Sequence, residues 1–268
     1  MNQNEVKEKL LKIEDAPMEF TLIFSGKKSK KVNGLYKPQT REIILHNRNF
    51  KTDEAGLNLL LYTAIHEYAH HLHACSRGGT LSPRAHNSEF WAIFHALLEK
   101  AEAKKIYFDV FSVSPELEKL TEVIRTKYLV NNGALVKEMG KVLIKAHNLC
   151  TDIGVRFEDY VDRMLRIPRA AANMAIKMFE YDIAPEVGAD NMRFLAGIRS
   201  KDDREAAEKA LIGGKSPDTV KVQIRGKGNP LEETDPKERL EKEKARLERT
   251  IITLSKRLEE VNNELGLK

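Results

Sequence analysis

The residues best equipped for chemistry are His66-Glu67-Tyr68-Ala69-His70. Residues four apart on a helix are separated by about 6 Å of rise and roughly 40° of rotation, so the two imidazoles share a face and can converge on one ion. Glu67 lies on the adjoining face, where its carboxylate can hold a water on that ion and take its proton. The spacing therefore predicts an HExxH site, with two zinc ligands and a general base. The ion would polarise a peptide carbonyl and lower the pKa of its water to about 7. A solvated helix that merely carries histidines would place Lys or Glu beside them. Here Ala64, Ile65, Tyr68, Ala69 and Leu72 surround the pair, as a helix with a buried metal face requires.

A catalytic zinc takes a third protein ligand and leaves its fourth position open. The candidates are His71, His73, His86 and Glu89. His71 points about 100° away from His70, and His73 lies about 10 Å of rise from His66. His86 and Glu89 open the helix that follows Gly78-Gly79 and Pro83, where an antiparallel return brings them back. A carboxylate in a first helical turn is already explained by the helix dipole, so His86 is preferred and Glu89 is the alternative. Purely structural zinc sites fill all four positions, mostly with cysteine, and only Cys75 is near. Imidazoles accept several divalent ions, with zinc the default by geometry, one per chain.

The elements that must position these residues fill the first 112 residues. Helical periodicity covers 3–13, strands are expected over Met18–Phe24, Gly34–Tyr36 and Arg41–His46, and Lys37 to Thr40 turn between the last two. Thr52, Asp53 and Glu54 start the motif helix, and a second helix runs from about Asn87 to Lys105. The fold class expected is a zincin-like α+β domain, a small antiparallel sheet plus the motif helix. An all-α region (113–225), a linker (226–236) and a coiled coil (237–268) follow it.

His66-Glu-Tyr-Ala-His70 followed by His86-Asn-Ser-Glu-Phe-Trp91 resembles the SprT-like zinc metallopeptidases. In that family a later histidine opens the next helix within a His-x-x-x-Phe/Trp sequence. Gly34 to Leu45 is similar to the strands that precede the family's motif helix, and the likeness covers about residues 15–105. It implies a zinc-dependent endopeptidase with His66, His70 and His86 as ligands and Glu67 as base. The cysteine ribbon of many members has no counterpart here, since Cys75 and Cys150 are the only cysteines. A more distant likeness is to the ImmA/IrrE-type metallopeptidases, which join an HExxH domain to a helix-turn-helix and act on regulators. Substrate is expected to lie extended along the sheet edge. Tyr36, Tyr62 and Tyr68 are read as packing residues before oxyanion donors.

In the all-α region, Phe157–Met164, a turn holding Arg166, and Arg169–Met178 read as helix, turn, helix. Arg166, Arg169 and Asn173 are the candidate DNA-contacting residues. The rival reading of the whole chain is a DNA-binding regulator with a structural or sensory metal site. From Lys237 onward Leu240, Leu247, Leu254 and Val261 recur every seven residues, with Ile251, Leu258 and Leu265 at the complementary heptad position. That seam predicts a homodimeric coiled coil, weakened at its start by Lys244.

The formal charge of +5 is spread rather than concentrated: 45 basic against 40 acidic residues, with Lys27 to Lys31 the one dense basic cluster. A solvated turn explains that cluster, so charge permits a nucleic-acid partner without arguing for one. No apolar run is long enough to cross a bilayer, no signal-peptide core follows the N-terminus, and two cysteines make no disulfide framework. The expected compartment is the cytoplasm, with a protein or peptide substrate.

Overall fold

Helix α1 (Gln3–Ile13) begins on a capping box, Asn2 accepting from the Glu5 backbone N–H while the Glu5 side chain accepts from Asn2. Its Val6, Leu10 and Ile13, on one face, enter the core. The computed structural model describes residues 1–80, 84–228 and 236–264. Pro83, expected to help end the motif helix, lies outside the described residues, as do 229–235 of the expected linker.

Strands β1 (Thr21–Phe24), β2 (Gly34–Lys37) and β3 (Glu42–Leu45) form one sheet in the order β1-β3-β2. β2 pairs antiparallel with β3, Leu35 opposite Ile44, but β1 pairs parallel with β3, Leu22 opposite Ile43. The sheet is therefore mixed, which corrects the expected antiparallel one. The chain reverses once before β2 and once after it, so β1 and β3 point the same way. The loop 25–33 carries the chain past the slot that β3 then fills. Arg41, in the left-handed region at φ 54°, closes the short β2–β3 turn.

Helix α2 (Glu54–Ser76) carries the motif. Asp53 caps it by accepting from the Gly56 N–H at 2.8 Å, and Gly78 and Gly79, at φ 67° and 88°, terminate it. Leu60, Leu61, Ala64, Ile65, Tyr68 and Ala69 are all buried, so α2 is packed on several sides. Only a helix apolar around most of its circumference can run through a core in this way. Helix α3 (Ser88–Ala103) starts where Asn87 accepts from the Phe90 N–H, and buries Phe90, Phe94, Leu97 and Ala101. These residues, the sheet and α1 form one hydrophobic core.

The helical half holds α4 (Pro115–Val123), a π-helical turn (Ile124–Leu129), α5 (Val130–Asp152), α6 (Phe157–Tyr160) running into a second π turn (Val161–Leu165), α7 (Arg169–Glu180), α8 (Ala189–Ala196), α9 (Lys201–Ile212) and α10 (Pro217–Gly228). Two further cores lie here, separate from the first. α5 and α7 approach closely because Gly140 has no Cβ; one would stand 2.1 Å from the Ala175 carbonyl oxygen. The His95 ring hydrogen-bonds Ser216 Oγ at 2.8 Å, joining α3 to the start of α10.

The chain divides into two units, Met1–Ile224 and Arg225–Lys268. The second contains helix α11 (Pro236–Glu264), along which Leu247, Ile251, Leu254 and Leu258 of the heptad series are exposed. Leu265 of that series lies outside the described residues. Among the described residues no helix is long and apolar enough to cross a membrane.

Candidate metal centre

α2 supplies His66 and His70 one turn apart, and the antiparallel return through α3 delivers His86 to the same point. His86 Nε2 lies 3.1 Å from His70 Nε2 and 3.2 Å from His66 Nε2. Among the described residues, these three form a group of side chains that could hold a metal ion. Two nitrogens bound at about 2.0–2.1 Å to a tetrahedral ion stand about 3.3–3.4 Å apart, close to these separations. Three ring nitrogens aimed at one point cannot all be satisfied by hydrogen bonds to each other, whereas one cation takes all three lone pairs. The donor set fits a divalent ion.

Aromatic side chains hold the rings. Phe90 stacks on His70 with centroids 4.2 Å apart and meets His66 edge-on, while Trp91 lies against His86. Burial, and secondarily the neighbouring His86, pushes the His66 pKa down to about 4. Burial, with His66, His86 and His73 adding, pushes His70 down to about 3. Both rings are thus neutral at neutral pH, the form that binds metal. His70 Nδ1 is buried without a hydrogen-bond partner.

Glu67 is 7% exposed, and burial alone raises its pKa to about 7. Its neighbour is the backbone of β2. A Cβ on Gly34 would stand 2.9 Å from Glu67 Cγ and 3.0 Å from both Leu45 Cδ2 and Thr63 Cγ2. Glycine at 34 is what lets an edge strand lie against the motif helix beside the carboxylate, a feature that sequence reading missed. The Leu35-Tyr36 strand pattern hides it, because a strand-initial glycine reads as punctuation.

Glu89 points elsewhere. Its Oε2 accepts from His73 Nε2 at 3.3 Å and pairs with Arg77 Nη1 at 3.5 Å, tying α2 to α3. His73 and His71 are both buried. His71 Nε2 donates to the Met18 carbonyl at 2.9 Å, so its Nδ1 accepts from the Tyr36 hydroxyl at 3.1 Å. The Tyr68 hydroxyl donates to the Glu14 carbonyl at 2.8 Å. Tyr62 packs edge-on against Phe94. The hydroxyls of Tyr36 and Tyr68 are thus committed to structure.

Of the candidate DNA-contacting residues, Arg166 forms the turn itself, in the left-handed region at φ 54°. Arg169 Nε donates to Asp162 at 2.6 Å across that turn, which neutralises it. Asn173 is exposed on α7, whose opposite face, Ala172 and Ala175, is buried. The left-handed turn at Arg166 joins the π turn after α6 to α7.

No protein-family model, no curated protein and no solved structure matches this chain.

Proposed function

We propose that the chain is a zinc-dependent endopeptidase whose ligands are His66, His70 and His86 and whose general base is Glu67. The observation that carries this reading is the convergence of three imidazole Nε2 atoms, two of the three separations being 3.1 and 3.2 Å, one residue from a buried carboxylate. When bound there, zinc supplies Lewis acidity toward a peptide carbonyl and acidifies a coordinated water.

The chain's own residues do the rest. His66 and His70 stay unprotonated across the neutral range because burial disfavours the imidazolium. Glu67, with a pKa of about 7, is matched to accept the proton of the attacking water and to release it to the departing amine, the balance that general acid–base catalysis favours. β2 lies at the sheet edge and is also the strand that touches Glu67 through Gly34. A substrate strand added along it would run past the base, with its scissile carbonyl reaching the histidines. Phe90, Trp91 and Phe94 shield the His66 and His70 rings from water, while His86 stays exposed.

The test is metal content together with cleavage. Elemental analysis of the wild type and Glu67→Gln is expected to give about one zinc per chain, and of His86→Ala almost none. Only the wild type is expected to cut casein or itself, with and without added DNA. Zinc bound without cleavage under any condition favours the regulatory reading; a wild type that binds no metal removes the proposal.

A further inference from the structure

α4, the π turn and α5 follow one another without a break from Pro115 to Asp152, a rod of about 55 Å at 1.5 Å per residue. One face of α5 is used within the chain: Gly133, Gly140, Leu143 and Cys150 are buried, Gly140 against α7. A second face, about a third of a turn away, is apolar and bare. Tyr128, Leu135, Met139, Val142, Leu149 and Ile153 are between 40% and 73% exposed. From Leu135 to Ile153, with the half-buried Ala146 between Val142 and Leu149, the steps alternate between four and three, and Asn132 holds the position between Tyr128 and Leu135. That is the 3.5-residue repeat of a helix meant to lie along another helix. α4 buries nothing, yet Leu117, Leu120 and Ile124 continue the same seam. The extra residue in the π turn brings Tyr128 rather than Lys127 into line.

The charges beside the seam identify the occupant. One flank, Leu143 and Cys150, is covered by the chain itself, so a parallel partner, which needs both flanks, is disfavoured. The open flank carries Glu138, Lys145 and Asp152, all exposed. Laid antiparallel on a second copy, the seam places Met139 against Val142, Ala146 against Leu135 and Ile153 against Tyr128, with Leu149 against Asn132. Each contact then occurs twice by the two-fold axis. In that register Glu138 of each copy faces Lys145 of the other. Sliding by one heptad in either direction opposes Glu138 to Glu138 or Lys145 to Lys145. Of these three registers only the first avoids like charges. It also carries α4 past the end of the other copy's α5, where Val155 and Met164 are exposed as well.

We propose that the chain forms a two-fold dimer in which the seam Leu135–Ile153 of α5 packs antiparallel on the same seam of a second copy, with Glu138 and Lys145 paired reciprocally. This interface is independent of the metal centre.

Sedimentation equilibrium on the full-length chain tests it. The wild type is expected to be a dimer, and Val142→Glu to raise the dissociation constant by about a hundredfold or more, since it seats two charges in the seam centre. Glu138→Lys and Lys145→Glu are each expected to weaken the dimer by about tenfold, and the double exchange to return it to within about threefold of wild type. All three positions are exposed, so helical circular dichroism and zinc content should follow the wild type and report intact folding. A chain that is monomeric at every concentration overturns the proposal. So does a dimer indifferent to these variants, which would be held elsewhere, as by the α11 heptads. Failure of the double exchange to rescue overturns the antiparallel register.

Discussion

Gly34 provides the sharpest test of how the base is held. Substitution with alanine adds one methyl group, and because the Gly34 φ lies outside the left-handed region no backbone strain accompanies it. The new Cβ would stand 2.9 Å from Glu67 Cγ and 3.0 Å from Leu45 Cδ2 and Thr63 Cγ2. Carbon atoms rest at about 3.5–4.0 Å, so each contact must open by about 0.5 Å or more. Leu45 belongs to the paired strand β3, while Thr63 and Glu67 are one turn apart on α2. No single rotation relieves all three contacts: either β2 lifts from α2 or the Glu67 side chain swings away. Overpacking of this kind costs about 1–3 kcal/mol. For a unit of this size that is a fall in Tm of about 2–12 °C.

The same displacement moves the Glu67 carboxylate by a fraction of an ångström. A misplacement of about 1 Å can cost about a hundredfold in rate, so about tenfold in kcat is expected. The ligands are held by Phe90 and Trp91 on the other side of α2, so zinc content should remain at the wild-type value. Peptide hydrolysis, scanning calorimetry and elemental analysis on Gly34→Ala read the three quantities. A variant with wild-type kcat and wild-type Tm would show that β2 does not press on Glu67, and the proposed positioning of the base would fall with it. Loss of zinc would place the disturbance at the ligands instead.

Four further outcomes are expected. Glu89→Gln should keep its zinc but lower Tm, because it weakens the His73 and Arg77 contacts that tie α2 to α3; equal zinc loss in Glu89→Gln and His86→Ala would contradict the assignment of the third ligand. In chelated protein, His66 and His70 have folded pKa values of about 4 and 3, below an unfolded value near 6.5. Their contribution is complete above pH 6.5 and is lost as pH falls toward those values, so denaturant midpoints should drop between pH 6.5 and 4, and less so in His70→Ala. Glu67 has the opposite sign: its folded pKa of about 7 lies above the unfolded value, so its contribution is present below about pH 4.5 and lost as pH rises through 7. Glu67→Gln should therefore stabilise the chelated protein at pH 8 by up to about 3 kcal/mol, and no gain there would mean the carboxylate is better solvated than its burial implies. Gly140→Ala should destabilise by about 3 kcal/mol or more, since its Cβ would meet the Ala175 carbonyl oxygen at 2.1 Å; a chemical-denaturation curve unchanged from wild type would contradict the α5–α7 contact.

What could be read from the sequence divides along a physical line: whatever depends on spacing within one helix was legible, and whatever depends on where separate elements land was not. His66, Glu67 and His70 share a geometry fixed by 3.6 residues per turn, so the roles proposed for them follow from three letters and a spacing. His86 was reachable because Gly78 and Gly79 announce a reversal, but choosing it over Glu89 rested on the helix dipole, and the fold adds the partners that engage Glu89, His73 and Arg77. The mixed sheet could not be read, because alternation marks β1, β2 and β3 as strands without saying on which side of β3 each lies. The approach of Gly34 to Glu67 joins residues from different elements and leaves no local trace. The helical half makes the same point from the other direction. The repeat from Leu117 to Ile153 has the periodicity of a helix with one apolar face, and periodicity alone would bury that face in the chain's own core. α5 does bury a face there, but a different one, carried by Gly133, Gly140 and Cys150. A helix with two apolar faces cannot be told from one with a single face by periodicity alone, and here the chain leaves the second exposed.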